Sequence, residues 1–245
     1  MSNSVKKGFE IIKYIADKQG QLTLTDISRQ LGLNKTTVFR YLETMADLNI
    51  LERHNNYWHL GIGLFELGNK VNFPASLVNN IHPVLHELSS RLNETVNFAG
   101  LFGHRAIYLD KIKSNRGLQM RSKPGEELPL YCTGLGKVIL SELSEKKRDK
   151  ILENIVLVPL TDQTIIDKKT LALELEKVKN QKYALDVEEY EAGLTRIAVP
   201  LILQNLKFTG AISVSGTSAR YTKDMIEQLL SELHKTRQRI YDLNI

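Results

Sequence analysis

The residues best suited to direct chemistry lie in a short polar run that begins at Asn34. Small hydroxyl side chains and two cations follow this asparagine, and no carboxylate occurs before Glu43. Small polar side chains can approach base edges closely, while Lys and Arg pair with phosphates or guanine. The run therefore predicts contacts with double-stranded DNA through Lys35, Thr36, Thr37, Arg40 and Tyr41.

A second candidate is the glycine-rich sequence TGLGK at residues 133–137. At a predicted helix start, free backbone N–H groups and the helix dipole favour an anion, and glycine allows close approach to the backbone. The complete phosphate-loop pattern is absent, because Val138 follows the lysine. The alternative is a turn that packs on its own domain.

Catalytic and metal-binding patterns find no support. Among six histidines, only His82 and His86 are spaced like a pair of metal ligands on one helix, and Pro83 lies between them with no third ligand nearby. The motifs of zinc proteases, serine hydrolases and dinucleotide enzymes are absent. Cys132 is the single cysteine, which excludes an internal disulfide or a cysteine-rich zinc site. We therefore expect no enzyme activity, no metal and no cofactor.

The elements that position the polar run are three short helices and a hairpin. Thr23 and Asp26 predict a capping box at the second helix, which ends at Gly32. The third helix has an inward stripe of Val38, Leu42 and Met45. A helix, a tight turn and a helix with a basic first turn form the helix-turn-helix arrangement.

A two-stranded wing is predicted after the third helix. The strands at 50–54 and 57–60 are separated by Asn55 and Asn56, and asparagine tolerates the left-handed conformation of a tight turn. The sequence thus predicts a winged helix-turn-helix domain over residues 1–62. Thr25, Asn55 and Asn56 are further candidates for DNA contact.

The remaining sequence predicts a linker helix at 63–75 and a larger domain at 76–245. Helical spacing begins at Ser76, short apolar strands pair at 95–101 with 106–112 and at 197–203 with 208–214, and helices are predicted at 136–143, 171–182 and 222–243. Strands grouped with helices at the ends favour an α+β domain with a central antiparallel sheet.

Composition agrees with a cytoplasmic globular protein. Of 245 residues, 42% are hydrophobic and 25% charged, enough to bury a core. No apolar run is long enough for a membrane span, and the amphipathic N-terminus is unlike a signal peptide. The net charge is +5, but residues 1–62 carry only +2, with eight Lys or Arg against six Asp or Glu. DNA binding by this domain therefore requires focused charge or two copies acting together.

Three separated motifs resemble the IclR family of bacterial transcription regulators. They are TDISRQLGLNKTTVFRYL at 25–42 with YWHLG at 57–61, PLYCTGLGK at 129–137, and YALDVEEYEAG at 183–193 followed by IAVP at 197–200. The resemblance covers essentially the whole chain. It implies a C-terminal fold similar to GAF and PAS sensor domains.

The resemblance also implies a pocket for a small-molecule effector. Its lining would include Gly134, Leu135, Asp186, Leu194, Ser213 and Ser215, with Met120 as a weaker candidate. Ser213 and Ser215 alternate along one predicted strand, so both face the same way.

One position departs from the family pattern. Arg196 stands where many members have a cysteine facing the pocket. A buried guanidinium requires an anionic partner, which is either Asp186 or the effector itself. Helix-start N–H groups, Arg196 and the serine hydroxyls together suit a small carboxylate such as a sugar acid.

The sequence therefore predicts an effector-responsive regulator that binds operator DNA as a homodimer or tetramer. Repression and activation use the same two domains, so both stay open. Two alternatives remain: an enzyme or sensor module with an accessory winged helix, and a module whose winged helix contacts only proteins.

Overall fold

A computed structural model describes residues 3–18, 21–116 and 122–243, with the backbone alone at 72–74. Met120 and its predicted role lie outside the described residues. The chain divides into two compact units, Met1–Phe73 and Pro74–Ile245. None of the described helices is long and apolar enough to cross a membrane.

The first unit is a winged helix-turn-helix, as predicted. Its elements are α1 (Asn3–Asp17), α2 (Leu24–Leu31), α3 (Lys35–Asp47), β1 (Leu51–His54), β2 (Tyr57–Leu60) and α4 (Ile62–Asn69). β1 and β2 pair antiparallel. Ile11, Ile27, Val38, Leu42 and Trp58 form part of its buried core.

Local chemistry fixes the turn between α2 and α3. The Thr23 hydroxyl accepts from the Asp26 N–H at 3.3 Å, and the Asp26 carboxylate accepts from the Thr23 N–H at 3.0 Å, which confirms the capping box. Gly32 ends α2 with φ 62°, and the Asn34 side chain accepts from the Thr36 N–H at 2.9 Å. Both helix ends at the turn are thereby satisfied.

The second unit is an α+β domain around a six-stranded antiparallel sheet. The strand order is β5-β4-β3-β8-β7-β6. Its elements are α5 (Asn72–Leu92), β3 (Thr95–Phe102), β4 (Arg105–Ile112), β5 (Glu127–Leu128), α6 (Gly134–Ser141), α7 (Glu145–Asn154), α8 (Lys168–Gln181), β6 (Ala184–Val187), β7 (Leu194–Leu203), β8 (Phe208–Thr217) and α9 (Lys223–Asp242).

The two faces of the sheet bury different layers. Ile197, Val199, Ile212 and Val214 join one core with residues of α5 and α9. Ala198 and Ala211, at the alternate positions, join a second core with residues of α6 and α8. Side chains at Arg196, Ser213 and Ser215 share the α6 face because strand residues alternate.

Several predicted boundaries differ from the structure. α5 begins at Asn72 rather than Ser76, and α6 begins at Gly134 rather than Gly136 because Thr133 caps it. β7 and β8 are longer than predicted. Helix α7 and strands β5 and β6 were not predicted.

Candidate functional site

Helix α3 presents three faces. The buried face consists of Val38, Leu42 and Met45. A second face borders an apolar groove and consists of Thr37, Tyr41 and Thr44, with Leu48 just after the helix. A third face, with spacings of three and four residues, carries Thr36, Phe39, Arg40 and Glu43. Arg40 lies where the second and third faces meet.

The predicted DNA-contacting residues of α3 thus separate into two groups. Lys35, Thr36, Thr37 and Arg40 are exposed. Tyr41 was predicted on the outer face, but it packs against the core and borders the groove. The reason is that Tyr41 follows the buried Val38 by three residues, which brings both to neighbouring positions on the helix.

Thr25 lies half-buried in the first turn of α2. The next residue, Asp26, belongs to the capping box, and hydrogen bonds from Thr23 lower the pKa of its carboxyl. The box therefore stays formed while this carboxylate is ionised.

The wing turn is held by an arginine that sequence reasoning did not single out. Arg53 Nε donates to the Asn55 carbonyl at 2.9 Å, and Nη2 donates to Asn56 Oδ1 at 3.2 Å. Its guanidinium lies 5.8 Å from the centre of the Trp58 ring. Asn55 has φ 56°, as a tight asparagine turn requires. Arg53 thereby positions the predicted wing-tip residues.

Three titratable groups share one face of the wing. Glu52 and His59 are cross-strand partners, and His54 Nε2 lies 3.0 Å from Glu52 Oε1. The two histidine rings lie 5.0 Å apart between centroids. Alternation along β1 places Glu52 and His54 on the same side, so the cluster follows from the strand register.

An apolar groove of about 700 Å³ lies in the first unit, between α1, α3 and α4. Apolar side chains on its rim are largely exposed, including Val5, Phe9, Leu48 and Leu67. Monomeric proteins rarely expose apolar surface of this extent without a use for it.

In the second unit, polar side chains gather on the α6 face of the sheet. This polar cluster consists of Asn97, Ser122, Arg196, Ser213 and Ser215, all buried. Asn97 Nδ2 donates to Ser215 Oγ at 3.1 Å, and Ser122 Oγ donates to Asn97 Oδ1 at 3.3 Å. Within the described residues, the Ser213 hydroxyl is buried with no hydrogen-bond partner.

Arg196 pairs with two carboxylates. Nη1 donates to Asp186 at 3.0 Å and Nη2 donates to Glu191 at 2.9 Å, while the guanidinium lies 5.2 Å from the Tyr190 ring centre. Asp186 is one of the two partners that the sequence predicted for Arg196, and the structure shows this pair. Glu191 is an additional partner that sequence reasoning missed.

Burial dominates the electrostatics of Asp186. It raises the pKa of this carboxyl above its usual range, while the Arg196 guanidinium opposes the shift. Asp186 Oδ1 also accepts from the N–H groups of Glu189 and Tyr190 at 2.9 and 3.2 Å. These contacts fix the acidic motif and Arg196 as one unit.

A second cation adjoins the polar cluster. Lys111 Nζ donates to the Ser122 carbonyl at 2.7 Å. Burial lowers the pKa of Lys111, and the charges of Lys113 and Arg196 act in the same direction. The cluster thus combines hydroxyl groups with Arg196 and borders on a second cation, Lys111.

Two residues of the glycine-rich loop, Thr133 and Gly136, make contacts within their own domain. A Cβ on Gly136 would lie 2.5 Å from the Leu130 backbone, and the Gly136 N–H already donates to Thr133 Oγ1 at 3.0 Å. Gly134 and Leu135 are buried at the first turn of α6, beside Ala198. Leu194 is buried at the start of β7.

The motif lysine is buried in an ion pair. Lys137 Nζ lies 2.5 Å from Glu189 and 3.4 Å from Glu174. Burial raises the pKa of Glu189 to about 7, against the effect of Lys137. The Thr161 hydroxyl donates to the Glu188 carbonyl and the Thr164 hydroxyl to the Glu189 carbonyl, both at 2.6 Å, and these bonds hold the segment in place.

Neither metal binding nor thiol chemistry gains support from the geometry. His82 Nδ1 lies 2.7 Å from Asp110, and the His86 ring centre is 6.2 Å from that of His82. The described residues contain no group of three potential ligands that could hold a metal ion. Burial raises the pKa of Cys132 to about 12, so this thiol is not activated.

Family models match both units. The model of the bacterial transcriptional regulator IclR C-terminal domain matches residues 74–241, and that of the IclR helix-turn-helix domain matches residues 4–55. The chain belongs to the IclR family. Its DNA-binding winged helix-turn-helix and α+β domain are those of an IclR-type transcription regulator.

Individual IclR relatives are similar over most of their length. The chain is 30% identical to the HTH-type transcriptional regulator KdgR of Escherichia coli, over 97% of this chain and 91% of that protein. It is 29% identical to the transcriptional repressor IclR of Escherichia coli, over 92% and 84% respectively. The crystal structure of Thermotoga maritima IclR superposes with a TM-score of 0.76 at 28% identity, over 100% of both chains.

Within this IclR-family chain, sequence reasoning missed Phe39, Arg53, Asn97 and Glu191. Phe39 could have been found from its spacing, because it follows Thr36 by three residues and therefore lies on the same face of α3. Asn97 becomes visible only through strand register, since it is the cross-strand partner of Ser213. Glu191 lies in the loop between β6 and β7 and is identified only by its contact with Arg196.

Proposed function

We propose that this chain is an effector-responsive transcription regulator that acts in the cytoplasm. Residues 1–62 bind operator DNA, residues 63–75 link the domains, and residues 76–245 bind a small organic or sugar acid. Because named relatives include repressors, we further propose that the chain represses its target. We propose no catalytic activity, since the relatives are regulators.

The observation that carries the DNA-binding proposal is the exposed face of α3. Thr36 and Arg40 project from it, Lys35 lies in the first turn, and the turn before it is capped at both ends. A helix held in this way can enter the major groove with its N-terminal residues at base edges. Asn55 and Asn56, fixed by Arg53, would lie beside the duplex backbone.

Selection from a pool of randomised DNA duplexes with the full chain tests this proposal. We expect a two-fold symmetric sequence to be enriched, with half-sites about one helical turn apart. An unenriched pool would contradict the DNA-binding role, and a bound protein partner would then favour the protein-contact alternative.

The effector proposal is supported by the unpartnered Ser213 hydroxyl. A buried hydroxyl without a hydrogen bond is destabilising, and a ligand that bonds it removes this cost. Asn97, Ser215 and Arg196 lie on the same sheet face as Ser213. Such a site suits a small ligand rich in oxygen atoms.

A carboxylate reaches Arg196 most easily by replacing Glu191. The Asp186 side chain is wholly buried, whereas that of Glu191 is 21% exposed and is the more accessible of the two carboxylates on this guanidinium. Asp186 stays paired with Arg196 while the ligand carboxylate and Glu191 exchange at Nη2. The buried guanidinium therefore always keeps an anionic partner. We therefore propose that the effector carboxylate takes the position of Glu191 at Nη2.

Thermal-shift screening should begin with hydroxy acids and sugar acids, each beside the neutral alcohol of the same carbon skeleton. Calorimetry on an acid that binds then compares the native chain with Glu191→Gln and with Glu153→Gln, an exposed control on α7. Removing the competing anion should tighten binding of the acid several-fold, with no change in the control.

Two results would contradict the carboxylate proposal. One is tighter binding of the neutral alcohol than of the acid. The other is an unchanged affinity of Glu191→Gln for the acid.

A further inference from the structure

Phe39 is an exposed aromatic residue in the middle of the outer face of α3. Its side chain is 44% exposed, and it belongs neither to the buried core of the first unit nor to the rim of the apolar groove. The ring therefore lies outside the apolar core and keeps a large part of its surface open to a partner. Large exposed aromatic residues are common at binding surfaces.

The position of Phe39 follows from helix geometry. Phe39 and Arg40 come three and four residues after Thr36, and such residues lie side by side on a helix. All three are exposed. Any duplex that meets Thr36 and Arg40 therefore also meets the Phe39 ring.

The neighbours of the ring indicate its partner. Thr36, Arg40 and Glu43 are polar, so Phe39 is a lone apolar group on this face rather than part of an apolar patch. A protein partner would need a broader apolar surface. In the major groove, the apolar group available to a phenyl ring is the 5-methyl of thymine.

We propose that Phe39 is a specificity-determining residue that contacts the 5-methyl group of one thymine in each half-site, next to the base contacted by Arg40. This inference rests on the proposed DNA binding. It adds an apolar contact to the polar contacts of Thr36 and Arg40.

Replacement of thymine by uracil removes only the methyl group and is the direct test. The probe is the duplex enriched by the full chain, with one dT at a time replaced by dU, so that each probe lacks a single methyl group. At one position, dU should weaken binding by the native chain about four-fold, the effect expected for one buried methyl group. Phe39→Ala should bind the dT duplex more weakly and should not distinguish dT from dU there.

Two further variants control the experiment. Phe39→Leu keeps an apolar side chain and should retain part of the discrimination. Leu173→Ala, a 73% exposed apolar residue on α8, should bind both duplexes like the native chain. Equal thermal unfolding of the Phe39 variants and the native chain would show that the fold is intact.

The possible failures are distinct. The assignment of Phe39 alone is overturned if no dU replacement in the enriched duplex changes the affinity. It is also overturned if the loss of affinity caused by dU persists in Phe39→Ala. A pool without an enriched sequence overturns the proposed DNA binding, and the thymine contact with it.

Discussion

Asp186 and Arg196 are directly opposite each other on the antiparallel strands β6 and β7. Such cross-strand pairs place their side chains on one face and close together. Taking both charges out of water is costly, so a buried pair of this kind adds little net stability. Asp186 was one of the two partners predicted for Arg196, but the register of β6 on β7 that places them opposite each other was not predicted.

The Lys137–Glu189 pair makes a prediction about pH. Burial raises the pKa of Glu189 to about 7 from 4.5, so the folded chain binds this proton more tightly than the unfolded chain does. The free energy of unfolding should therefore fall as pH rises from about 4.5 to about 7, by up to about 3 kcal/mol from this group. Thermal unfolding across this pH range measures it.

Glu189→Gln is the matched variant, because it keeps the side-chain shape and removes the titration. Its unfolding temperature should vary less with pH between 5 and 7.5 than that of the native chain. Glu153→Gln, exposed on α7, should leave the slope unchanged. Equal slopes in the native chain and Glu189→Gln would show that this carboxyl does not titrate in the range.

At the scale of elements, strong local signals predicted the first unit well. The capping box at Thr23, the left-handed Gly32 and the Asn55 turn act within a few residues, so the sequence alone reveals them. The division of α3 into outer and groove faces could not be predicted in this way. It depends on where α1 and α4 pack, which places Tyr41 against the core while Arg40 stays exposed at the edge of the groove.

Weak signals explain the elements that were missed in the second unit. Helix α7 buries Ile151 alone and carries mostly charged residues, so its apolar periodicity is faint. Strand β6 has four residues and pairs only with β7. The α6 boundary moved to Gly134 because Thr133 is the capping residue.

The outer face of α3 predicts a specific effect of Arg40. If Arg40 contacts a guanine, Arg40→Ala should weaken operator binding by about 1–3 kcal/mol and relax the preference at one base pair. Affinities for duplexes varied at each position measure both effects. Lys13→Ala, on the exposed side of α1, removes the same charge and should leave base preference unchanged. Parallel losses across all duplexes would indicate a phosphate contact instead.

At the scale of the whole molecule, charge and apolar surface point to assembly. The first sixty-two residues carry a net charge of only +2, a weak attraction for a polyanion. The same unit exposes an apolar groove bordered by α1 and α4. A second copy that covers the groove would bury this surface and present two reading helices to one operator.

Phe9 provides the test of this assembly, because its side chain is 59% exposed and lines the groove. In the full chain, Phe9→Glu should shift sedimentation toward the monomer and weaken operator binding at least ten-fold, since one half-site then holds one reader. Leu173→Glu adds the same charge at a 73% exposed apolar position in the second unit and should change neither property. Measurements belong at constant salt, because the charge change alone alters DNA affinity. An unchanged oligomeric state in Phe9→Glu would show that the groove does not join the two copies, and weaker DNA binding would then reflect the added charge alone.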